Sequence, residues 1–260
     1  MAAILLLLLL PRSSWATDYC ADGNCQGCWL FTEGSGDVAD SSTNTNTGTF
    51  KGVGEPAWES MAGTNAPSYA DYMVHFDGSD DFINWGSDAS LDNDGQSPLS
   101  IVFWAHPDTT ASGDRPIGKA ALGGTGYWGV RQDSGSSGRL DFFKDWSSGD
   151  VLTTFNNESF ADGEWQHMVF TWTGGDNSGG TDVVLWRNGT EFGIGSTTQG
   201  GTARSDAALD LTVGTNYDGK MTEIAFFDDV LTEVEANDIM DNGLQPAEAP
   251  AAARRIMMIM

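Results

Sequence analysis

DVVLWRNGTEF (Asp182–Phe192) and LDLTVGTNYDGKMTEIAFFDDVLTEVEANDIMDNG (Leu209–Gly243) decide the fold of this chain. Asn188-Gly189 is the preferred dipeptide of a two-residue type I′ turn, because both central residues need positive φ. Apolar runs flank it, so the first stretch reads as a hairpin. In the second, LDLTVG and MTEIAFF read as strands. Thr232 and Glu235 then form the T-x-x-E capping box that opens a helix. Ile239 and Met240 give that helix its apolar face, and Gly243 suits the positive-φ position past its end.

Further strand candidates recur upstream between turn-rich loops: CWLF, YMVHF, DFINWG, LSIVFWAHP, GYWGVRQ, RLDFFKDW, VLTTF and WQHMVFTW. Many short strands broken by loops that hold most of the 33 glycines predict an all-β sandwich. Alternation puts Ile101, Phe103 and Ala105 on one face of their strand and Val102, Trp104 and His106 on the other. Large residues on both faces predict a strand lying deep in the fold. EFGIG (Glu191–Gly195) reads as one more strand, and only Thr232–Asn242 reads as helix.

The chain has 260 residues and a formal charge of −25, from 12 Lys and Arg against 37 Asp and Glu. Such a surface repels phosphate backbones, which excludes nucleic acid as a partner. Ala2–Leu10 has the length of a signal-peptide apolar core, too short to span a bilayer, and Ser14-Trp15-Ala16 offers small residues before a cut at Thr17. Residues 1–16 are therefore read as a leader, and the mature protein as secreted or cell-surface. Residues 17–27 read as a cysteine-containing tail, 28–244 as one domain, and 245–260 as a Pro/Ala linker with a short apolar end, again no transmembrane segment. Cys20, Cys25 and Cys28 are clustered in or beside the tail. In an exported protein two of the three are expected to pair, and Cys28 is alternatively a buried core thiol. Three cysteines without a nearby fourth ligand do not make a zinc site.

Several motifs in order carry a family resemblance. They are WLFTEGSG with DSS (Trp29–Gly36, Asp40–Ser42), HFDGSDDFINWG (His75–Gly86), LSIVFWAHPD (Leu99–Asp108), DGEWQHMVFTW (Asp162–Trp172) and the closing segment. Their order resembles LamG-like jelly-roll domains, the laminin G and pentraxin relatives within the concanavalin A-like lectin/glucanase superfamily. The resemblance implies a two-sheet antiparallel jelly roll with one short C-terminal helix. It also implies binding of carbohydrate or a glycosylated surface, with calcium as a candidate cofactor.

Candidate residues follow from the chemistry each ligand needs. Sugars stack on aromatic faces beside hydrogen-bonding groups, and Tyr127, Trp128, Trp146 and Tyr217 flank loops. Trp104, Trp165, Phe76 and Phe103 read as core aromatics. Calcium needs six to eight oxygens, and Asp77, Asp80 and Asp81 bring three carboxylates into one tight turn. Asp92-Asn93-Asp94-Gly95 fails as an EF-hand loop, because Ser90 and Ile101 occupy its first and twelfth positions. The Thr215–Asp218 turn is shorter and less acidic than the pentraxin ligand loop. Relatives resembling bacterial glucanases carry E-x-D-x-x-E on one strand, and this sequence lacks it. His75, His106 and His167 have no zinc or nucleophile motif beside them. Asn157 and Asn188 stand in glycosylation sequons, the latter inside the tight hairpin. The expectation is a non-catalytic binding or adhesion module. The alternatives are a structural surface or particle-decorating protein, and a glycoside hydrolase or lyase whose acids would be sought first at Glu164 and Glu223.

Overall fold

The computed structural model describes residues 17–245 except 63, 66, 68, 95, 111–112, 120–125, 133–138, 156–159, 176–181 and 199–200. The expected leader, the tail beyond 245 and the sequon at Asn157 lie outside the described residues. The strands are β1 (Cys25–Trp29), β2 (Thr49–Lys51), β3 (Ala57–Ser60), β4 (Tyr72–Asp77), β5 (Phe82–Gly86), β6 (Leu99–Thr109), β7 (Arg115–Lys119) and β8 (Trp128–Gln132). They continue with β9 (Leu140–Trp146), β10 (Gly149–Phe155), β11 (Gln166–Trp172), β12 (Val183–Arg187), β13 (Thr190–Phe192), β14 (Ile194–Thr198), β15 (Leu211–Thr215) and β16 (Asp218–Phe227), before helix α1 (Glu233–Asn242).

Two antiparallel sheets form a jelly-roll sandwich. The first runs β13-β12-β11-β6-β16-β4-β3, with β1 also on β16; the second runs β14-β10-β9-β8-β7-β15-β5-β2. Asn188 (φ 50°) and Gly189 (φ 73°) form the expected turn between β12 and β13. The Asn188 side chain also accepts the backbone N–H of His167 at 2.8 Å, tying the hairpin to β11. The run EFGIG does not form one strand. It divides between β13 in the first sheet and β14 in the second, so the chain changes sheets there. Three strands escape sequence reading because little in TFK, AWES or RPIGK alternates.

Alternation sorts β6 as expected. Ile101, Phe103 and Ala105 enter the core between the sheets, with Phe170, Trp172, Trp128, Phe142 and Phe226. Val102 faces outward, yet it is buried with Val169, Ala225 and Phe227 beneath Leu231, Ala236 and Ile239 of the helical segment. This second apolar layer explains why β6 and β11 carry large residues on both faces. The capping box forms, with Glu235 N–H donating to Thr232 Oγ1 and Thr232 N–H to Glu235 Oε2.

The N-terminal segment packs into that layer. Tyr19 and Cys20 are buried in it, and Tyr19 N–H donates to the Leu244 carbonyl at 2.9 Å. The disulfide joins Cys20 to Cys28. Cys25, also a candidate for pairing, is instead a buried free thiol, because it faces the apolar layer as the first residue of β1.

The strand β16 joins these parts. On one flank it pairs with β6; on the other it pairs with β4 through Met221 and then with β1 from Ile224. A bulge between Thr222 and Ala225 permits the exchange, and Glu223 there has φ 47°. Its buried carboxyl accepts the Leu244 N–H at 3.0 Å. Burial raises the Glu223 pKa from 4.5 to about 7, against the lowering effect of the Leu244 bond. The folded chain therefore keeps a proton that the unfolded chain releases. The associated stability is complete below pH 4.5 and is lost as pH rises through about 7. Glu223→Gln should flatten this limb of a melting-temperature profile and be more stable than the parent at pH 8, on the order of 1–3 kcal/mol. An unchanged profile would show that Glu223 is already ionised in the fold.

Candidate functional site

A cleft of 670 Å³ opens on the outer face of the first sheet, away from α1. Its walls are Glu59 from β3, Met73 from β4, His106 from β6, Lys220 from β16, and Glu164 and Trp165 from the turn before β11. Strand register sets Lys220 and His106 side by side in its wall. Lys220 lies opposite His75 on β4 and opposite His106 on β6, so three nitrogen-bearing side chains form one row across the sheet. Asp108 sits at the end of the row. Lys220 Nζ approaches its oxygens at 2.6 and 2.8 Å, and His75 Nε2 and His106 Nδ1 each lie 3.2 Å away. His75 Nδ1 is 3.1 Å from Glu59. Burial alone would raise the Asp108 carboxyl, but the Lys220 bond and charge, with His75 and His106, hold it below its ordinary value. Trp165 is half-buried and tilts onto His106, with ring centroids 5.3 Å apart. An aromatic wall beside carboxylates and an ammonium suits a ligand with one apolar face and many hydroxyls.

The ring platforms expected from sequence do not converge. Trp128 is fully buried, donates its Nε1–H to Asp206 at 2.5 Å and stacks on Phe226. Tyr217 is equally buried and meets Phe76 and Phe160 edge-on. Trp146 is 6% exposed and belongs to the same core. These three correct the reading: they lie beside polar loops in sequence but face the space between the sheets. Tyr127 alone stays on the outer side, its hydroxyl bonded to Asp150 at 3.0 Å. Conversely Trp165, expected in the core, lines the cleft. Its position at the strand entry, after Gly163-Glu164, does not distinguish it in sequence, since the buried Trp128 also opens its strand. His167 is fully buried, and burial pushes it down to about 3, so it is neutral and no base in the cleft.

The acidic turn forms as expected: ligand oxygens of Asp77, Asp80 and Asp81 lie within 4.8 Å of one another. Asp77 accepts the Ser79 N–H at 2.8 Å, Asp80 that of Val53 at 3.0 Å, and Asp81 that of Asp77 at 3.2 Å. Each bond uses one carboxylate oxygen, so one oxygen per residue is left for a cation. Burial and then the charge of Asp77 raise the Asp81 carboxyl, a crowding that a hard cation would relieve. Three carboxylate oxygens would supply part of the six to eight that calcium takes. His75, Asp108 and Asp218 also cluster, but Lys220 already supplies a positive charge there.

Sequence reading missed a buried ionic lock at the Asp92–Asp94 segment that had failed as an EF-hand. Lys119 and Lys144 are fully buried. Lys119 Nζ reaches Asp92 at 2.8 Å and Asp206 at 3.5 Å, while Lys144 Nζ donates to the Gly126 carbonyl at 2.9 Å. Asp206 also accepts the Asn93 N–H at 2.7 Å, which pins this loop to the segment before β15. Burial lowers Lys144 to about 8.

The profile of the concanavalin A-like lectin/glucanases superfamily matches residues 77–237. Among curated proteins, none matches the sequence. Solved structures share the fold at low identity. Domain 4 of AbnA, an extracellular GH43 arabinanase from Geobacillus stearothermophilus solved with arabinotriose, superposes with a TM-score of 0.59 at 17% identity, covering 83% of this chain and 98% of that one. The binding domain of Paraclostridial Mosquitocidal Protein 1 gives 0.54 at 13%, over 84% of this chain and 52% of that one. Trypanosoma rangeli sialidase with sialic acid gives 0.54 at 12%, over 85% and 33%. The chain thus spans the whole of the first relative, about half of the second and a third of the third.

The two tryptophan environments separate by mutation. Trp128→Ala should cost about 3–5 kcal/mol of stability by denaturant unfolding, the range for a buried aromatic. Trp165→Ala should cost no more than about 1 kcal/mol. Equal losses would place Trp165 in the core after all.

Proposed function

We propose that this chain, which belongs to the concanavalin A-like lectin/glucanases superfamily, is a secreted, non-catalytic binding module that recognises carbohydrate through the Trp165 cleft. One observation carries the reading: a half-buried tryptophan faces a cleft whose walls also include Glu59, Glu164, His106 and Lys220. Sugar C–H groups would stack on the indole, and hydroxyls would bridge the carboxylates and the ammonium. The 670 Å³ falls within the usual range for small-ligand sites, about 300–1,000 Å³. Arabinotriose and sialic acid in the solved relatives support the ligand class. The Cys20–Cys28 disulfide supports an oxidising, extracellular setting. Among the described residues no helix is long and apolar enough to cross a membrane.

Calcium is the cofactor this reading takes, held by Asp77, Asp80 and Asp81. Bound there it would neutralise the acidic turn between β4 and β5. A second reading, glycoside hydrolysis, is favoured by one observation: the carboxylates of Glu59 and Glu164 line the same cleft. Release of reducing ends from a polysaccharide, abolished in Glu164→Gln, would establish it.

A glycan array with and without EDTA tests the main reading. Binding should appear on a defined glycan set, and Trp165→Ala should weaken it at least about tenfold, or 1.4 kcal/mol. No glycan bound under either condition sinks it. Calcium at about a hundred times its dissociation constant should stabilise the protein by about 2.7 kcal/mol, read as a raised melting temperature. Asp80→Asn should remove the response; a melting temperature indifferent to calcium and EDTA removes the metal.

A further inference from the structure

The charges around the Trp165 cleft differ in what they leave free for a ligand. Among the described residues, Lys220 is the one Lys or Arg lining it. Its ammonium lies 2.6 and 2.8 Å from the two oxygens of Asp108. That contact neutralises the charge and leaves one of three N–H groups for a neutral hydroxyl. His75 bridges Glu59 and Asp108 at 3.1 and 3.2 Å, and His106 also turns to Asp108 at 3.2 Å. Glu164 stands outside this network: it is exposed, and among the described residues its carboxylate meets neither a donor nor a cation. The wall that supplies Thr64 and Asn65 adds no charge, since residues 61–70 contain no Asp, Glu, Lys, Arg or His. Three carboxylates, Glu59, Asp108 and Glu164, thus stand in or beside the cleft with one ammonium, which is already taken.

This distribution selects the charge of the ligand. A carboxylate or sulfate entering the cleft would find Lys220 saturated and both lining glutamates of its own sign, and like charges set together reject a partner. The whole chain acts in the same direction, because a formal charge of −25 draws cations toward its clefts and repels anions. A protonated amine is favoured on each count. An exposed glutamate is ordinary on so acidic a chain, but Glu164 shares its cleft with a second carboxylate, Glu59, and with the half-buried indole of Trp165. An indole face attracts an ammonium as well as sugar C–H groups. The 670 Å³ of the cleft far exceeds what a lone ammonium fills, so the charge arrives on a larger body.

We infer that the Trp165 cleft takes a saccharide bearing a free amine, its ammonium held by Glu164, Glu59 and the Trp165 indole. The saccharide half of this statement rests on the carbohydrate reading above; the preference for a cation does not. Hydroxyls beside the amine meet the remaining Lys220 N–H. Acetylation of the nitrogen would remove the charge and two of its three donors, so the same sugar in N-acetylated form is the matched control.

Calorimetry on the full chain at neutral pH tests the preference with four probes. They are a glucosamine oligomer, its N-acetylated counterpart of equal length, an oligogalacturonide, and spermidine as a cation without a sugar. The variants are Glu164→Gln, Glu59→Gln and Trp165→Ala, each checked by its melting temperature. The glucosamine oligomer should bind at least about fivefold more tightly than the N-acetylated one, with affinity falling as salt rises. Each glutamate variant should weaken it about two- to fivefold and narrow the preference over the N-acetylated form. The oligogalacturonide should not bind. If the free-amine and N-acetylated oligomers bind alike, and Trp165→Ala weakens both, the inference is wrong and the carbohydrate cleft stands. If spermidine binds as tightly as the glucosamine oligomer and the N-acetylated oligomer does not bind, the cation preference stands and the saccharide half falls with the carbohydrate reading. Tighter binding of the oligogalacturonide, failure of the parent to bind the glucosamine oligomer, or unaltered binding in Glu164→Gln overturns the inference. Should Glu59→Gln lower the melting temperature because His75 loses its partner, Glu164→Gln, at an exposed position, decides alone.

Discussion

The rest of the molecule depends on the bulge in β16. A strand in a regular ladder has one neighbour on each flank, yet this one serves three, because Glu223 steps out of register between Thr222 and Ala225. A left-handed backbone at a residue other than glycine costs roughly 1–2 kcal/mol. The step sends Glu223 toward the helical layer, where its carboxyl holds Leu244, whose carbonyl in turn holds Tyr19. Both ends of the domain are thereby fastened to one irregularity at the centre of the first sheet. On the near side of the bulge the same strand presents Lys220 to the cleft. The feature that closes the fold and the feature that places Lys220 in the cleft wall are two stretches of one strand.

The outer face of the first sheet is used unevenly as a result. Beyond the bulge it is apolar and roofed by α1 and the N-terminal segment. Before the bulge it carries charged side chains in register, under the partial cover of Met61, Ala70 and Tyr69 with Trp165. A helix could not roof that half without desolvating Lys220, Asp108 and the histidines, which is expensive for charges even when paired. The cleft is the part of the face that its own charges keep open.

Much of the architecture was legible in local chemistry. Asn188-Gly189 needs positive φ and obtains it; Thr232 and Glu235 make reciprocal bonds; alternation in β6 and β11 assigns each residue to its face. The concealed part was non-local. Nothing in RLDFFKDW distinguishes Lys144, which points into the core, from an ordinary surface lysine, because its partners Gly126 and Asn93 lie in distant loops. Trp128 and Trp165 look alike in sequence, and only the loop packed beside each strand decides which ring keeps a free edge. The row His75–Lys220–His106 is invisible until β16 is placed between β4 and β6, which precede it by more than a hundred residues. Strand β7 hides in RPIGK, a segment whose proline and glycine do not suggest a strand at all.

The lock formed by Lys119 and Lys144 has a consequence for how such an acidic chain matures. Loops of this kind are often neutralised by an ion that must be captured from the surroundings, so their closure follows the composition of the medium. Here a positive charge is written into the polypeptide and arrives with it, since Lys119 meets both Asp92 and Asp206. Closure of these loops is therefore an inherited property of the chain, reached once β7 stands beside both the Asp92 loop and the segment that carries Asp206.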